Sequence, residues 1–556
     1  MKVPSLSRIL FVLTCTGMLP AQVTGTGSSN SLEEQPLMQE IARMAMPFLP
    51  NTTAPWGGPC EASLGVLLCD VDGDGDLDLF HNSSGVTQPR LLLNDGRGRF
   101  TEVTATNLPP LTPYRRSTYN MCAGDIDGDG DPDIVAGAFY GIMPPNWTYS
   151  IVYINDGTGH FSDQSATRVP PALQMLNIYN PSTALADFDG DGDLDIVYSG
   201  QNAYSTANVS GALLRNDGRG YFTWDPSCFP IDNGHRTSGE GHLYSVDLDR
   251  DGDIDLIGSS LFGGIAYWQN DGTGHFTDVS MTSIHPPPTM FPAANALPAD
   301  VDGDGDLDIA VTQYYAHVPV RLYLNDGTGQ LYDATPTNMP NDTDGGVTLR
   351  WGDFDGDGDL DLLNFVQTIA SIGKHGEEQV LLNDGTGHFT TNWSRDVFAL
   401  HTNGIVWDYA AADLDDDGDI DVIIPDGGAG GAGRGAVCRT RYYLNTTRQV
   451  FAEQPATRNR PWRVTVYGPT HGAALLGYAL GATHQPTPFG TLGLDPSLLL
   501  VWPSVLVFGD DRHQVAEIPI PNLPILAGRP LYAQALVMAP LGAAHFTNLW
   551  VEDAIR

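Results

Sequence analysis

Aspartate occupies every odd position of the nine-residue segment Asp70-Val-Asp72-Gly-Asp74-Gly-Asp76-Leu-Asp78, and that segment recurs six more times along the chain. The later copies comprise Asp125, Asp127, Asp129, Asp131 and Asp133; Asp187, Asp189, Asp191, Asp193 and Asp195; Asp247, Asp249, Asp251, Asp253 and Asp255; Asp300, Asp302, Asp304, Asp306 and Asp308; Asp353, Asp355, Asp357, Asp359 and Asp361; and Asp413, Asp415, Asp417, Asp419 and Asp421. Successive copies begin 53 to 62 residues apart. That period marks a repeat architecture, whose units bury their apolar faces only by stacking on one another. The loops hold 35 of the 67 Asp+Glu, so the formal net charge of -40 is concentrated in them. Such a surface excludes recognition of nucleic-acid phosphates, which needs basic patches. Hydrophobic residues still make up 41% of the chain, enough for a buried core.

Carboxylates packed this densely repel one another, and a cation among them relieves the repulsion. Calcium suits the pattern, because it is a hard ion that takes about six to eight oxygens in flexible geometry from carboxylates, a backbone carbonyl and water. In the first copy the candidate ligands are the side chains of Asp70, Asp72, Asp74 and Asp78 and the carbonyl of Asp76. Gly75, at the sixth position, permits the sharp turn, and every copy keeps a glycine there. The fourth position is looser, with Arg250 in copy four and Asp416 in copy seven. A solvated acidic turn that binds no particular ion is the plain alternative, and seven copies make it implausible. Magnesium prefers fewer protein ligands and strict octahedral geometry, and an EF-hand loop is about twelve residues long, ends in Glu and lies between helices.

Leu77 and Leu79 flank Asp78, Leu194 and Ile196 flank Asp195, and Ile420 and Val422 flank Asp421, the period-two alternation of a strand. A second element follows 23 to 32 residues after each loop begins, reading Asn94-Asp-Gly-Arg-Gly-Arg-Phe100 in the first copy. Asn155, Asn216, Asn270, Asn325 and Asn383 open the same Asn-Asp-Gly-x-Gly turn, a hairpin signal. Copy five ends this element in Leu331, and copy seven departs further, reading Asn445-Thr-Thr-Arg-Gln-Val-Phe451. The terminal Phe is expected to fill the core between units. Several short strands per repeat predict an all-β chain folded as a seven-bladed β-propeller, one blade per copy. A linear β-solenoid is the rival architecture, and it uses shorter repeats.

Together, the acidic loops and the Asn-Asp-Gly-x-Gly-x-Phe turns resemble the FG-GAP/VCBS repeat family, which includes the calcium-bearing propeller repeats of integrin α chains and many bacterial secreted proteins. The resemblance covers roughly residues 60 to 456. It implies about seven Ca2+ sites, each held by the side chains at loop positions one, three, five and nine and by the carbonyl at position seven. It leaves activity open, since the family spans adhesins, glycan binders, polysaccharide lyases and proteins of unknown role.

Lys2 and Arg8 precede an apolar stretch from Ile9 to Leu19 and small residues near Ala21, the pattern of an export signal over residues 1–21. That run is about half of the ~20 residues that span a bilayer, and no later segment is long enough, so no transmembrane segment is expected. Residues 22–59 read as a lead-in with a short helix near Leu37 to Met46, or as the source of a strand that closes the ring. Beyond residue 456 the repeats stop, and apolar runs such as Leu531 to Met538 predict a small C-terminal β-sandwich-like domain over 457–556. If Cys15 leaves with the signal, Cys60, Cys69, Cys122, Cys228 and Cys438 remain. Cys60 and Cys69 are the nearest candidates for a disulfide, and an odd cysteine is left over. The chain contains no Gly-x-Ser-x-Gly elbow, no His-Glu-x-x-His and no Walker sequence, and Gly427 to Gly435 reads as a flexible loop. His160, His275 and His388 fall in the repeated turn, whereas His235, His242 and His401 lie outside it. Asn-x-Ser/Thr sequons stand at Asn51, Asn82, Asn146, Asn208, Asn341, Asn392 and Asn445.

The expected function is a non-catalytic binding or adhesion module, secreted to the extracellular space, the periplasm or the cell surface, with calcium mainly structural and an extracellular glycan or protein as ligand. The alternatives are a polysaccharide lyase or hydrolase on a propeller scaffold and a structural surface-coat protein.

Overall fold

Each acidic loop returns the chain antiparallel to its incoming strand, so every repeat builds its own sheet. The computed structural model describes residues 38–40 and, with interruptions, 65–555; the longer omitted stretches are 1–37, 41–64, 82–88, 111–117, 140–147, 172–177, 203–210, 230–241, 366–377, 392–407 and 425–440. In the first repeat Val66–Cys69, Asp78–His81, Arg90–Asn94 and Phe100–Glu102 pair in chain order. The acidic loop joins the first strand to the second, and the Asn-Asp-Gly turn joins the third to the fourth. The same four-stranded order recurs in sheets that start at Thr118–Gly124, Ile178–Ala186, Leu243–Val246, Ala293–Ala299 and Thr348–Gly352. The sheet that starts at Ala293–Ala299 gains an extra parallel strand, Ile284–His285.

The seventh sheet is assembled differently. Ala410–Ala412, Asp421–Ile424 and Arg441–Asn445 supply three strands, and Met38–Glu40 pairs antiparallel with Arg441–Asn445 as the fourth. The helix expected near Leu37 to Met46 is therefore replaced at these residues by a strand, because an open sheet edge offers hydrogen bonds that outweigh local helical preference. Val450–Phe451, which follows Asn445, turns away and pairs with Pro461–Tyr467 instead. That departure accounts for the loss of the Asn-Asp-Gly turn in the seventh copy.

The first strands adjoin one another in chain order, and Ala410–Ala412 meets Val66–Cys69. Apolar clusters fill the junctions between consecutive sheets, and one of them, with Leu79, Leu92, Phe100, Leu414, Ile423 and Tyr442, joins the seventh sheet to the first. Phe100, Phe161, Phe222, Phe276 and Phe389, with Leu331 in the fifth copy, pack into the junction with the preceding sheet, as expected. Phe161 lies edge-on to Phe80 with ring centres 5.5 Å apart, and Phe100 meets Tyr442 at 5.9 Å. The expected all-β class holds, and the sheets follow one another in a propeller-like arrangement.

Downstream, Trp462, Val464 and Ile518 on one sheet and Leu476, Ala533, Ala535 and Val537 on another share one core, which gives the C-terminal segment its sandwich-like form. Cys69, Cys122 and Cys228 are free thiols, and Cys60, the partner considered for Cys69, lies outside the described residues. The export signal also lies outside them. Among the described residues no helix is long and apolar enough to cross a membrane.

Candidate metal centre

The loop is shaped by its own carboxylates. Asp70 accepts hydrogen bonds from the amides of Gly73 at 2.8 Å and Gly75 at 3.0 Å, and Asp74 accepts one from Asp76 at 3.0 Å. The fourth and sixth residues both adopt left-handed backbone, with φ of 74° at Gly73 and 97° at Gly75. Arg250 and Asp416 hold the same conformation at the fourth position, with φ of 61° and 60°, so the sequence tolerance there carries backbone strain. The ninth residue, Asp78, is buried and accepts from Val71 N at 3.0 Å and Asn94 N at 2.8 Å. Asp133, Asp195, Asp255, Asp308, Asp361 and Asp421 bind the amides of Asn155, Asn216, Asn270, Asn325, Asn383 and Asn445 in the same way.

These constraints gather the oxygens. Ligand atoms of Asp70, Asp72 and Asp78 lie within 4.8 Å of one another, as do those of Asp125, Asp127 and Asp133 and of Asp187, Asp189 and Asp195. In the fourth and fifth loops the gathered groups are Asp247, Asp249 and Asp251, and Asp300, Asp302 and Asp304. The seventh-position side chains point elsewhere. Asp76, Asp131, Asp193, Asp253, Asp306 and Asp359 pack against the glycine of the Asn-Asp-Gly turn, so tightly that a Cβ on Gly218 would sit 2.6 Å from Asp193 Oδ2. Gly218→Ala is therefore expected to cost about 2 kcal/mol through overlap and positive-φ strain. A urea midpoint equal to that of the parent protein would refute this.

Burial raises the carboxylates. Asp78, Asp133, Asp195, Asp255 and Asp308 are pushed up to about 7 and Asp361 to about 8, chiefly by desolvation. Asp76 rises to about 6, first through burial and then through the Asp74 charge. A group whose folded pKa is raised contributes stability below its unfolded pKa and loses it as pH climbs through the folded value. Calcium-free protein should therefore lose stability between pH 6.5 and 8.5. Buried His81 and half-buried His242, both lowered to about 4, are neutral in the folded state across that window and oppose the trend only slightly, as their unfolded imidazoles lose their last protons just above pH ~6.5. A melting temperature that is flat or rising across the window would contradict this expectation.

The donor set fits a hard cation. It consists of oxygen atoms, and Oδ1 of Asp72, Asp127 and Asp189 is buried without a hydrogen-bond partner. The companion oxygen is held from outside the loop in several copies. Asp127 Oδ2 pairs with Arg168 at 2.9 Å, Asp189 Oδ2 with Arg215 and Asp249 Oδ2 with Gln269. Arg250 reaches from the fourth loop to Asp306 of the fifth. A buried, unpaired carboxylate oxygen is costly unless something positive shares the site.

The residue that sequence reasoning undervalued is the turn asparagine. Its Nδ2 crosses to the preceding sheet and donates to the carbonyl of the second residue of that loop. Asn155 reaches Val71, Asn216 Ile126, Asn270 Phe188, Asn325 Leu248 and Asn383 Val301, each at 2.8 Å, and Asn445 reaches Phe354 at 3.0 Å. Asn94 donates to Leu414 at 2.9 Å and closes the series. The signal was present in the sequence, because copy seven keeps Asn445 while losing the rest of its turn. Asn445 is fully buried, so this sequon is closed to glycosylation. His160, His275 and His388 contact the Thr side chains of their own turns, and His235 and His401 lie outside the described residues.

The fold and its loops define an all-β repeat protein built around acidic turns. Its sequence matches the FG-GAP-like repeat family over residues 55–136, 142–198, 187–257, 247–311 and 300–363, and the chain belongs to that family. It is 24% identical to cartilage acidic protein 1 of Homo sapiens over 457 residues, covering 76% of this chain and 63% of the relative. The Mus musculus protein of the same name is 24% identical over 448 residues, covering 66% of each. The chain thus spans just under two thirds of either relative. A solved GH32 beta-fructofuranosidase mutant of Bombyx mori in complex with sucrose aligns with a TM-score of 0.22 and 10% identity, covering 67% of this chain and 90% of that one. Likeness at that level carries no weight for chemistry.

Proposed function

We propose that this chain is a secreted, non-catalytic, calcium-stabilised seven-bladed propeller that presents a rigid surface to an extracellular glycan or protein. The observation that carries the reading is the convergence of carboxylate oxygens, some of them buried and unpaired, in loops that each sheet repeats. Positions one, three, five and nine would hold Ca2+ through side chains, and position seven through its carbonyl, since its side chain is committed to the turn glycine. Calcium would then be structural, neutralising each loop and fixing the strands on either side. Extracellular modules bind calcium with Kd on the order of 0.1 to 1 mM, which suits an exported protein.

Two measurements test this. Equilibrium dialysis should find about seven calcium ions per chain, and Asp191→Asn should remove one of them, because that exposed carboxylate serves one loop alone. Purified protein should be retained saturably on an immobilised extracellular glycan or matrix protein in calcium and released by chelator. Absence of bound calcium would sink the metal assignment, and turnover of a polysaccharide would sink the non-catalytic one.

A further inference from the structure

The seven loops share one sequence pattern but not one environment. The fifth-position carboxylates Asp74, Asp129, Asp191, Asp251, Asp304 and Asp357 are exposed, whereas Asp417 in the seventh loop is 2% exposed. Its neighbours Asp415 and Asp419 are 2% and 1% exposed. A loop that matches the others in sequence gains such burial only from what lies beyond it. Only this repeat continues into the C-terminal sheets. A cavity of about 310 Å³ lies where they meet the loops, bounded by Asp76, Asp95 and Arg97 of the first repeat, Asp415 and Asp416 of loop seven, and Thr483 and Gln534 of the C-terminal segment, with Arg97 as its one cationic side chain. That wall is braced: the buried Gln534 side chain accepts from Gly493 N at 2.8 Å and donates to Thr547 O at 2.9 Å.

We propose that calcium in the seventh loop is the clasp that seats the C-terminal sheets on the repeats, and that it leaves this loop more slowly than it leaves the other six. The inference rests on the calcium reading above. Four buried carboxylates, Asp415, Asp417, Asp419 and Asp421, repel one another more strongly than the same groups facing water, so losing the ion strains this loop most. The strain is relieved by lifting the wall. By linkage, whatever the ion contributes to seating the sheets, the seated sheets contribute to retaining the ion. Release must therefore wait for a local opening that the exposed loops do not need.

Calcium-loaded full-length protein mixed with excess fluorescent chelator should release its ions in two phases. The slow phase should carry about one seventh of the calcium and run roughly tenfold or more slower than the fast phase. Asp417→Asn should abolish the slow phase and speed proteolytic release of a C-terminal fragment. Asp357→Asn, the same position in the exposed sixth loop, should trim the fast phase and leave proteolysis unchanged. Thr483→Glu sets a carboxylate beside Asp76, Asp415 and Asp416 without replacing a proposed ligand. It should accelerate the slow phase while total calcium stays the same, which keeps the test open if Asp417→Asn fails to fold. Seven ions leaving in one fast phase would overturn this inference alone, as would equal effects of Asp417→Asn and Asp357→Asn. Protein that binds no calcium would overturn the underlying reading as well.

Discussion

Withdrawing calcium is expected to lower the melting temperature of this protein by roughly 10 °C or more, with magnesium unable to restore it. A ligand bound only by the folded state stabilises it by RT ln(1 + [L]/Kd) at each site, about 1.4 kcal/mol at tenfold excess over Kd. Seven independent sites would contribute on the order of 10 kcal/mol, comparable with the whole stability of a typical domain. The loops are where such a loss would be felt. The ninth aspartates are buried on the second strand of every sheet and tie the second loop residue to the turn asparagine. Left without a cation, those carboxylates either take up a proton or repel their neighbours, and both outcomes loosen the strand they sit on. Matched thermal melts in millimolar calcium, millimolar magnesium and excess EGTA at pH 7.5 provide the check. Coincident curves would mean that the loops are not specific calcium sites.

The second large effect is expected from Asn94→Ala. Asn94 Nδ2 donates to Leu77 O at 3.3 Å within its own sheet and to Leu414 O at 2.9 Å in the seventh, and its Oδ1 accepts from Asp95 N at 2.9 Å. Truncation removes both bonds, leaving Leu414 O with only its bond from Gly98 N at 2.9 Å, at a cost of about 1 to 3 kcal/mol. The same substitution at Asn270 removes an equivalent bond to Phe188. Asn94 additionally joins the last loop to the first, so its loss should also lower the cooperativity of unfolding. Urea denaturation in saturating calcium, comparing midpoint and slope for both variants, measures this. A change below about 0.5 kcal/mol at Asn94 would show that the bond is dispensable.

What could be read from the sequence was what local chemistry dictates. Alternating carboxylates, left-handed glycines and period-two apolar residues act within about ten positions, so the loops, hairpins and all-β class were legible. The partners of those residues were not. Arg168 meets Asp127 across 41 positions, and Asn94 meets Leu414 across 320. Nothing local distinguishes such a side chain from a solvated one. For Met38–Glu40 the sequence leaves a short helix and a ring-closing strand both open, because the choice depends on a strand edge formed by Arg441–Asn445. The burial of Asp417 was equally silent, since its loop keeps every aspartate of its exposed counterparts.

The pairing of Met38–Glu40 with Arg441–Asn445 has a bearing on how the chain is made. A ribosome delivers the first partner early and the second only after about 400 further residues, so the closing contact is among the most distant and slowest the fold contains. Until then a nascent chain carries a naked edge at each end, which invites pairing with other chains. A premature stop anywhere before residue 441 thus removes more than the last sheet, because it leaves the opening strand without its partner.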